Sequence, residues 1–390
     1  MNVMTETTSS KPMYEKIFDE VKDSILTQAY KPGERVPSEK ELAETYSVSR
    51  ITSKKALEML AAERLIVRKP GRGSFVTDAS AEQSDPGMNL TAPAAMNIRA
   101  NEKTVGLIIT DFGNSYGTGL IYGMEQASRD NDCFLVLRRT FGIPENEEQA
   151  IQKLLNLGVD GLIIFPAQGE YFNAEILKLV IGRFPLVLVD RHLKGVAAAS
   201  ISTDNLQAAL EATEYLFDLG HTHISFLSPP PVDTTAVEDR IEGFIQAHAQ
   251  RGVMVDKELW VSDLTSTLPK FFNADNIERD LSRLVTHLQS HPSVTALFAI
   301  EYNIALLAKT AVERLGLRIP EDISIICFDS PPTHLGGGYA FTHMRQNEEE
   351  MGRIALENVL RIMNGEAVPH KVMLEAELVP GNSTGPVRHN

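Results

Sequence analysis

The residues near the amino terminus that could do chemistry are hydroxyl and cationic side chains at helical spacing. The hydroxyl of Ser38 can accept the amide hydrogen of Glu41, and the Glu41 carboxylate can reach back to the amide of Ser38. This capping box predicts a helix that starts at Ser38. A short interruption, Ser47-Val48-Ser49, separates it from a second predicted helix that Ser49 can cap. The two helices and the turn predict a helix-turn-helix.

The second helix and the segment after it carry the cations. Arg50, Ser53 and Lys54 lie three and four residues apart, so we expect them to share an exposed face that fits a major groove. The segment from Arg68 to Gly73 contains two glycines and three cations, followed by Ser-Phe-Val. The glycines permit a tight reversal, and the cations suit phosphate oxygens. This pattern predicts a basic two-stranded wing.

The order and spacing of these segments resemble the DNA-binding signature of the GntR family. The matching segments are Val36 to Ala43, Val48 to Thr52, Ala56-Leu57 and Lys69 to Val76, within residues 11–77. The resemblance implies that Arg50 contacts a base edge, that Ser49 and Thr52 hold phosphates, and that the wing tip enters the minor groove. The residues expected to contact DNA are Ser38, Lys40, Ser49, Arg50, Thr52, Ser53, Lys54, Lys69, Arg72 and Gly73.

Two of these positions depart from the family pattern. Lys40 and Lys54 stand where the family usually has arginine. Arginine binds guanine O6 and N7 with two hydrogen bonds, whereas lysine offers a compact charge. The base preference opposite these two lysines therefore stays open.

Charge divides the chain into two parts. Residues 11–77 hold 13 Lys and Arg against 10 Asp and Glu, a formal charge of +3. Residues 78–390 hold 24 Lys and Arg against 41 Asp and Glu, a formal charge of −17. The acidic part would repel a polyanion, so we expect DNA contact to be confined to the small amino-terminal domain.

Length and composition bound the remaining organisation. At 390 residues, 43% of them hydrophobic, the chain is long enough for two or three domains. Residues 78–101 are rich in Ala, Ser, Pro, Asn and Gly and predict a flexible linker, which separates the amino-terminal domain from a second domain over residues 102–385. We find no apolar run of about 18 residues and no secretory signal, which predicts a cytoplasmic protein without a membrane span. Cys133 and Cys327 lie in apolar runs and are expected to be reduced.

Beyond the linker, short apolar runs alternate with helical patterns. The predicted strands are residues 105–109, 133–137, 161–165, 186–189, 224–227, 296–299 and 323–328. Nearly continuous apolar strands with helices between them are typical of parallel sheets covered on both faces. Seven or more strands over this length predict two such sheets side by side, so the fold class is α/β with a small winged helix-turn-helix domain.

Polar and aromatic residues follow several of these strands. Tyr116 comes after the first strand, Asp190 and Arg191 after the fourth, Glu301 after the sixth and Asp329 after the seventh. Ligands bind beyond the carboxyl ends of open parallel sheets, and carboxylates, guanidinium groups and an aromatic ring suit a polyhydroxylated solute. Each residue taken alone could equally be a turn former or a helix cap, so their shared position carries the interpretation.

The second part of the chain resembles the effector-binding domain of the LacI/GalR family. The resemblance runs from about Lys103 to Thr384 and includes Gly158 to Ile163, Pro185 to Arg191, Arg240 to Phe244 and Ile319 to Ser330. It implies a two-lobed, periplasmic-binding-protein-like (type I) domain, a small ligand between the lobes, and a homodimer. The expected effector-binding residues are Tyr116, which would stack on the ligand, Arg191 and Arg240 as donors, Asp329 as acceptor, and Asp190 and Glu301. Glu301-Tyr302 replaces the Asn-Asp pair usual in the family.

These features predict a transcription regulator, a repressor, whose affinity for double-stranded operator DNA changes when a sugar or sugar derivative binds. No metal site and no cofactor are predicted. A solute-binding receptor and a sugar-metabolising enzyme remain alternatives, because either could use the same α/β body. We find no dinucleotide fingerprint, no phosphate loop and no Gly-x-Ser-x-Gly elbow, which argues against an enzyme. The effector, the operator and the direction of the ligand response are left open.

Overall fold

The computed structural model describes residues 11–63, 65–69, 73–77, 102–167, 173–231, 234–268, 271–331 and 339–387. The chain divides into two units, residues 1–94 and residues 95–390. The predicted linker over residues 78–101 and the wing residue Arg72 lie outside the described residues.

The first unit is a winged helix-turn-helix. Its elements are α1 (Met13–Leu26), β1 (Arg35–Val36), α2 (Glu39–Thr45), α3 (Arg50–Ala62), β2 (Ile66–Lys69) and β3 (Gly73–Val76). The three strands form an antiparallel sheet in the order β1-β3-β2. Ile17, Leu42, Ala56, Leu57 and Leu60 bring the three helices together in one buried core.

Both predicted helix starts are confirmed. Ser38 caps α2: its Oγ accepts the amide of Glu41 at 3.3 Å, and the Glu41 carboxylate accepts the amide of Ser38 at 2.6 Å. Ser49 caps α3 by accepting the amide of Thr52 at 3.3 Å. The caps satisfy amide groups that a helix start leaves without intrahelical partners.

The second unit has two lobes, each built on a six-stranded sheet. The sheet of the first lobe is parallel, in the order β14-β8-β7-β6-β4-β5. Its elements are β4 (Lys103–Ile109), α4 (Thr118–Asp130), β5 (Cys133–Arg139), α5 (Pro144–Leu157), β6 (Gly161–Ile164), α6 (Ala174–Ile181), β7 (Leu186–Val189), β8 (Ala199–Thr203), α11 (Glu348–Met363) and β14 (Lys371–Leu374).

The second lobe has the strand order β10-β9-β11-β12-β13-β15, parallel except for the β13–β15 pair. Its elements are α7 (Asn205–Asp218), β9 (Ile224–Leu227), α8 (Thr235–Arg251), β10 (Trp260–Val261), α9 (Ala274–Ser290), β11 (Ala296–Ala299), α10 (Tyr302–Arg314), β12 (Ser324–Phe328), β13 (Thr342–Arg345) and β15 (Glu377–Val379).

All seven predicted strands of the α/β part are present, together with five more that the apolar pattern did not reveal: β8, β10, β13, β14 and β15. The sequence of β8 is Ala-Ser-Ile-Ser-Thr and that of β13 is Thr-His-Met-Arg, so neither contains a continuous apolar run. β14 is an edge strand with alternating exposure. These strands are stabilised by pairing with their neighbours in the sheet.

The chain passes between the lobes at three places. The crossings are residues 203–205 between β8 and α7, residues 345–348 between β13 and α11, and residues 374–377 between β14 and β15. Each lobe is therefore made of discontinuous segments. The three crossings connect the two lobes. We call these three segments together the hinge.

Within the described residues no helix is long and apolar enough to cross a membrane. Cys133 and Cys327 are both buried and free, as predicted.

Candidate DNA-binding surface and effector cleft

The exposed face of α3 is the candidate DNA-reading surface. Arg50 and Lys54 are both exposed, and the Lys54 side chain lies 3.8 Å from Glu58, one turn further along the helix. On α2, Lys40 is exposed and lies 3.8 Å from Glu44. Such exposed pairs are weak, so both lysines can exchange their partners for phosphates.

The prediction that Ser53 lies on this exposed face is wrong. Ser53 is fully buried, and its hydroxyl donates to the carbonyl of Glu39 at 2.7 Å and to that of Arg50 at 3.1 Å. Its spacing explains this, because Ala56 and Leu57 follow it by three and four residues on the buried face of α3. Ser53 joins α3 to the start of α2 and is not available to DNA.

Ile51 is a further candidate contact residue on α3. Ile51 is 80% exposed, beside Arg50 in the first turn of α3. An exposed apolar side chain of this kind can contact the methyl group of thymine in the major groove. The sequence could have indicated this contact, because Ile51 is an apolar residue at a position that the helical pattern places on the solvent-exposed face of α3.

The remaining predicted DNA-contact residues lie at the helix starts and in the wing. Ser49 and Thr52 have their hydroxyl oxygens 2.9 Å apart at the start of α3. Gly73 begins β3 with a φ of +108°, which a glycine adopts without strain. Arg68 of β2 pairs with Glu39 of α2, so one predicted cation of the wing already has a carboxylate partner. Lys69 is the last residue of β2.

In the first lobe, Tyr116, Asp190 and Arg191 come together at the carboxyl ends of the strands. The hydroxyl of Tyr116 donates to Asp190, and Arg191 Nε donates to the same carboxylate at 3.2 Å. The Tyr116 ring stands edge-on to Phe165, with centroids 6.4 Å apart, and the Arg191 guanidinium lies 4.8 Å from the Phe165 centroid. Burial is the main cause that raises the pKa of Tyr116 well above its usual value, and the charge of Asp190 raises it further. The Tyr116 hydroxyl therefore stays protonated.

In the second lobe, the buried guanidinium of Arg240 is held by three contacts. Its Nε donates to Asn205 Oδ1 at 2.8 Å, its Nη1 donates to the carbonyl of Ile300 at 2.6 Å, and its Cζ lies 3.6 Å from the centroid of the Phe328 ring. Burial lowers the pKa of Arg240, while Asp329 and Asp190 oppose that effect. The sequence pattern gave no indication that Asn205 would orient it.

Acidic side chains surround these arginines. Asp329 accepts two hydrogen bonds from Gln346 Nε2, at 3.1 and 2.9 Å, and burial raises its pKa to about 8 against the opposing effect of Arg240. Burial also raises the pKa of Glu301, while Thr267 and Arg240 lower it. The Glu301 carboxylate does not cap α10, although it stands at the cap position. Sequence reasoning missed Glu348, which accepts the amides of Gly117 at 2.6 Å and Gly119 at 3.1 Å.

Several polar atoms near the strand ends are buried without a partner. Within the described ranges, these include Arg191 Nη1 and the hydroxyls of Ser228, Thr234 and Ser266. Ser228 directly follows β9, Thr234 directly precedes α8, and Ser266 lies in the segment after β10. An orphaned buried polar group costs roughly 1–3 kcal/mol, which a ligand or water can offset.

The cleft therefore offers guanidinium donors, carboxyl acceptors and aromatic faces, which is the chemistry of hydroxyl recognition. In the part of the chain that the structure describes, no group of three or more His, Cys, Asp or Glu is placed to hold a metal ion. The two histidines of His221-Thr222-His223 could suggest a metal site, but the buried ring of His221 hydrogen-bonds to Thr295 Oγ1 and to the carbonyl of Gly385, both at 2.9 Å.

Two segments of the sequence match known families. Residues 13–76 match the bacterial regulatory proteins of the gntR family, and residues 213–384 match the periplasmic binding protein-like domain. The protein therefore joins a gntR-type winged helix to a periplasmic-binding-protein-like domain, the two parts of a transcription regulator.

One relative matches the chain over nearly its whole length, and two solved structures match about three quarters of it. The chain is 26% identical over 378 residues to an arabinose metabolism transcriptional repressor of Geobacillus stearothermophilus, covering 96% of this chain and 98% of that protein. The structure of the transcription regulator CcpA of Lactococcus lactis matches with a TM-score of 0.61 at 20% identity, over 73% of this chain and all of that one (100%). A LacI family transcriptional regulator from Enterococcus faecium with bound ribose matches with a TM-score of 0.59 at 23% identity, over 73% and 100% of the two chains. These structural likenesses establish the type I fold of the second unit.

Proposed function

We propose that this protein is a sugar-responsive repressor. Its winged helix binds operator DNA, and a small sugar or sugar derivative bound between the two lobes changes that affinity. The observation that carries the proposal is a buried cluster between the lobes, in which Arg240 and Asp329 of one lobe interact electrostatically with Tyr116 and Asp190 of the other. Arg191, which donates to Asp190, has an unpartnered Nη1. The arabinose-related name of one relative and the ribose bound to another regulator support a sugar as the effector class.

In this proposal the DNA contacts come from the exposed residues of the first unit. Arg50 reads a base edge, Ile51 contacts a thymine methyl, and Ser49 with Thr52 binds a phosphate. Lys40 and Lys54 add phosphate or base contacts, and the start of α2 at Ser38 and the wing at Lys69, Arg72 and Gly73 complete the surface. The acidic second unit does not contact DNA, since its formal charge repels phosphates.

In the effector cleft, Arg191 donates through its unpartnered Nη1, and Tyr116 presents its ring edge beside Phe165. Asp329, Asp190 and Glu301 receive hydroxyl hydrogens, and Arg240 donates from the opposite lobe. We further propose that the regulator acts as a cytoplasmic homodimer on two half-sites, as dimeric winged helices do on palindromic operators.

The direct test measures both activities in one protein. DNA duplexes selected by the protein from a random library are titrated at several salt concentrations, without and with pentoses, hexoses and their derivatives. We expect DNA affinity that falls steeply with salt, and at least one sugar that changes it about 5- to 150-fold while raising the unfolding temperature. A protein that binds sugar but no DNA would instead be a solute receptor.

Two matched variants separate the two sites. Arg50→Ala should lose sequence selectivity at a cost of about 1–3 kcal/mol of DNA binding while its sugar affinity stays unchanged. Arg240→Ala should bind the operator as wild type does but lose the sugar response. If Arg50→Ala discriminated operator from random DNA as well as wild type, α3 would not be the reading helix. An unchanged sugar dose-response in Arg240→Ala would remove that residue from the cleft.

A further inference from the structure

One buried side chain joins the effector cleft to two of the three crossings between the lobes. Gln346 is 6% exposed and lies in the crossing between β13 and α11. Its Nε2 donates to both carboxylate oxygens of Asp329, and its Oε1 accepts the hydroxyl hydrogen of Thr203 at 2.6 Å. Thr203 ends β8 at another crossing. The side-chain amide of Gln346 therefore contacts Asp329 of the cleft through its nitrogen and Thr203 of the hinge through its oxygen.

A second path leads from the cleft to the same crossing. Arg240 Nε donates to Asn205 Oδ1 at 2.8 Å, and Asn205 Nδ2 donates to the carbonyl of Thr203 at 3.2 Å. Asn205 is 3% exposed, so this path is also shielded from water. Two cleft residues of the second lobe, Asp329 and Arg240, thus each reach Thr203 through one intervening side chain. Buried networks of this kind are rigid when every member is satisfied.

A ligand that bonds to Asp329 can change the hydrogen bonding of Gln346. The amide nitrogen now contacts both oxygens of Asp329. A ligand hydroxyl that donates to one oxygen of Asp329 competes with the Gln346 amide for the lone pairs of that oxygen. The amide then bonds mainly to the other oxygen. Any rotation of the amide also moves Oε1, which holds the Thr203 hydroxyl. Alternative arrangements of such a network differ in free energy, which is what a coupled two-state element requires.

We propose that Gln346 is a positioning residue that couples ligand contact at Asp329 to the arrangement of the hinge at Thr203, and through the hinge to the affinity for DNA. The proposal rests on the proposed function, because it assumes a sugar in the cleft and an operator at the winged helix. It assigns Gln346 a role in transmission, distinct from holding the ligand. Gln346 works through Asp329 and Thr203.

The test compares Gln346→Met and Thr203→Val with wild type and with Gln207→Met. Methionine keeps the length of the side chain and removes the amide, whereas valine removes only the Thr203 hydroxyl and leaves the Gln346–Asp329 bonds in place. Gln207 is the matched control, because it lies on α7 and its amide donates to Glu211 in an exposed pair. The probe is L-arabinose, or whichever sugar in the panel raises the unfolding temperature of wild type most.

Two quantities are measured for each variant: the sugar Kd by calorimetry, and the ratio of operator Kd values with and without saturating sugar. We expect a wild-type ratio of about 5- to 150-fold, the same ratio for Gln207→Met, and a ratio below about 2-fold for Gln346→Met and Thr203→Val. The sugar Kd of Thr203→Val should stay near that of wild type. A role in stability alone would lower the unfolding temperature and leave the ratio intact.

The proposal is overturned if Thr203→Val keeps the wild-type ratio, or if it loses sugar binding outright, since the network would then serve stability or binding. Should Gln346→Met fail to fold, Thr203→Val still decides the question. Failure of the proposed function is recognised separately: wild-type DNA affinity would then respond to no sugar, and the inference would fall with it.

Discussion

At the scale of single residues, the effector cleft depends on two aspartates with unusual backbone conformations. Asp190 follows β7 with a φ of +71°, and Asp329 follows β12 with a φ of +61°. Residues other than glycine adopt this left-handed region rarely and at a cost, and aspartate is among those that tolerate it best. The conformation turns each carboxylate out of its strand into the cleft. The sequence predicted both acids as cleft residues but gave no indication of the backbone that aims them.

The raised pKa of Asp329 predicts how stability depends on pH. Its carboxyl titrates at about 8 in the folded protein against 3.8 in the reference state, so the folded protein holds this proton more tightly. That contribution to stability is complete below about pH 4 and is lost as the pH rises towards 8. The Asp329→Asn variant has no proton to lose at this position, so its stability does not fall with pH for this reason. We therefore expect the unfolding temperature of the variant, relative to wild type, to increase between pH 5 and 8.

The corresponding difference in the free energy of unfolding should change by no more than about 1.4 kcal/mol per pH unit. Thermal unfolding followed at intervals of one pH unit measures it. Asp111→Asn is the control, since the Asp111 side chain is 50% exposed beside Arg139. A difference between Asp329→Asn and wild type that stays constant from pH 5 to 8 would contradict the assigned titration.

At the scale of elements, the recognition helix shows how burial divides one helix into two faces. The spacing of Arg50, Ser53 and Lys54 was interpreted as a single exposed face, yet Ser53 is buried and Ile51 is exposed. Serine is small enough to pack against the start of α2 and polar enough to bond its carbonyl. Helical periodicity tells which residues share a face of the helix. The packing of the neighbouring helix decides which of these faces is buried.

The contact between α4 and α11 depends on glycine. A Cβ placed on Gly123 of α4 would lie 2.0 Å from the carbonyl oxygen of Glu349, and one on Gly352 of α11 would lie 2.2 Å from that of Leu120. The helices approach so closely only because both residues lack a side chain. This contact also places Glu348, whose carboxylate accepts the amides at the start of α4.

We expect Gly123→Ala to destabilise the first lobe. Alanine would gain about 1 kcal/mol in helix propensity, but overpacking against backbone costs about 1–3 kcal/mol or more, so the net change is a loss. The measurement is the unfolding temperature of the full chain. Gly113→Ala is the control, because a Cβ there meets no atom within 4 Å. Equal unfolding temperatures for the two variants would show that the helices separate without cost.

At the scale of the whole molecule, charge and function are divided between two units. Residues 11–77, which form the winged helix, carry a formal charge of +3, whereas residues 78–390 carry −17, so DNA is attracted to the winged helix and repelled by the rest of the chain. Each unit has its own hydrophobic core, one around Leu57 and others around Phe226, Met351 and Ile108. Separate cores imply that each unit can hold its fold without the other.

Removal of residues 1–94 should therefore leave a folded sensor. We expect residues 95–390 to unfold cooperatively, to bind the effector sugar with the affinity of the full chain, and to show no affinity for operator DNA. Calorimetry with the sugar that stabilises the full chain measures the first property, and a DNA titration measures the last. Loss of sugar binding in a truncated chain that remains folded would place part of the effector site in the first unit.

The sequence by itself determined the class of fold, the helix starts and most strands of the α/β part. These features follow from local rules: the capping box at Ser38, the cap at Ser49 and the continuous apolar strands depend on residues a few positions apart. It also identified Asp329 as a cleft candidate, because polar residues after parallel strands meet at one edge of the sheet. Arg240 was expected in the cleft only through the resemblance to the LacI/GalR family.

Tertiary structure alone decided the rest. It buried Ser53, paired the polar strands β8 and β13 with their neighbours, and brought Gln346 between Asp329 and Thr203. Thr203 and Gln346 are separated by 143 positions in the chain. Contacts across such distances depend on how whole elements pack, and no local pattern of residue types encodes them. The reading helix and the cleft are therefore visible in the sequence, whereas the network that joins the cleft to the hinge exists only in the folded chain.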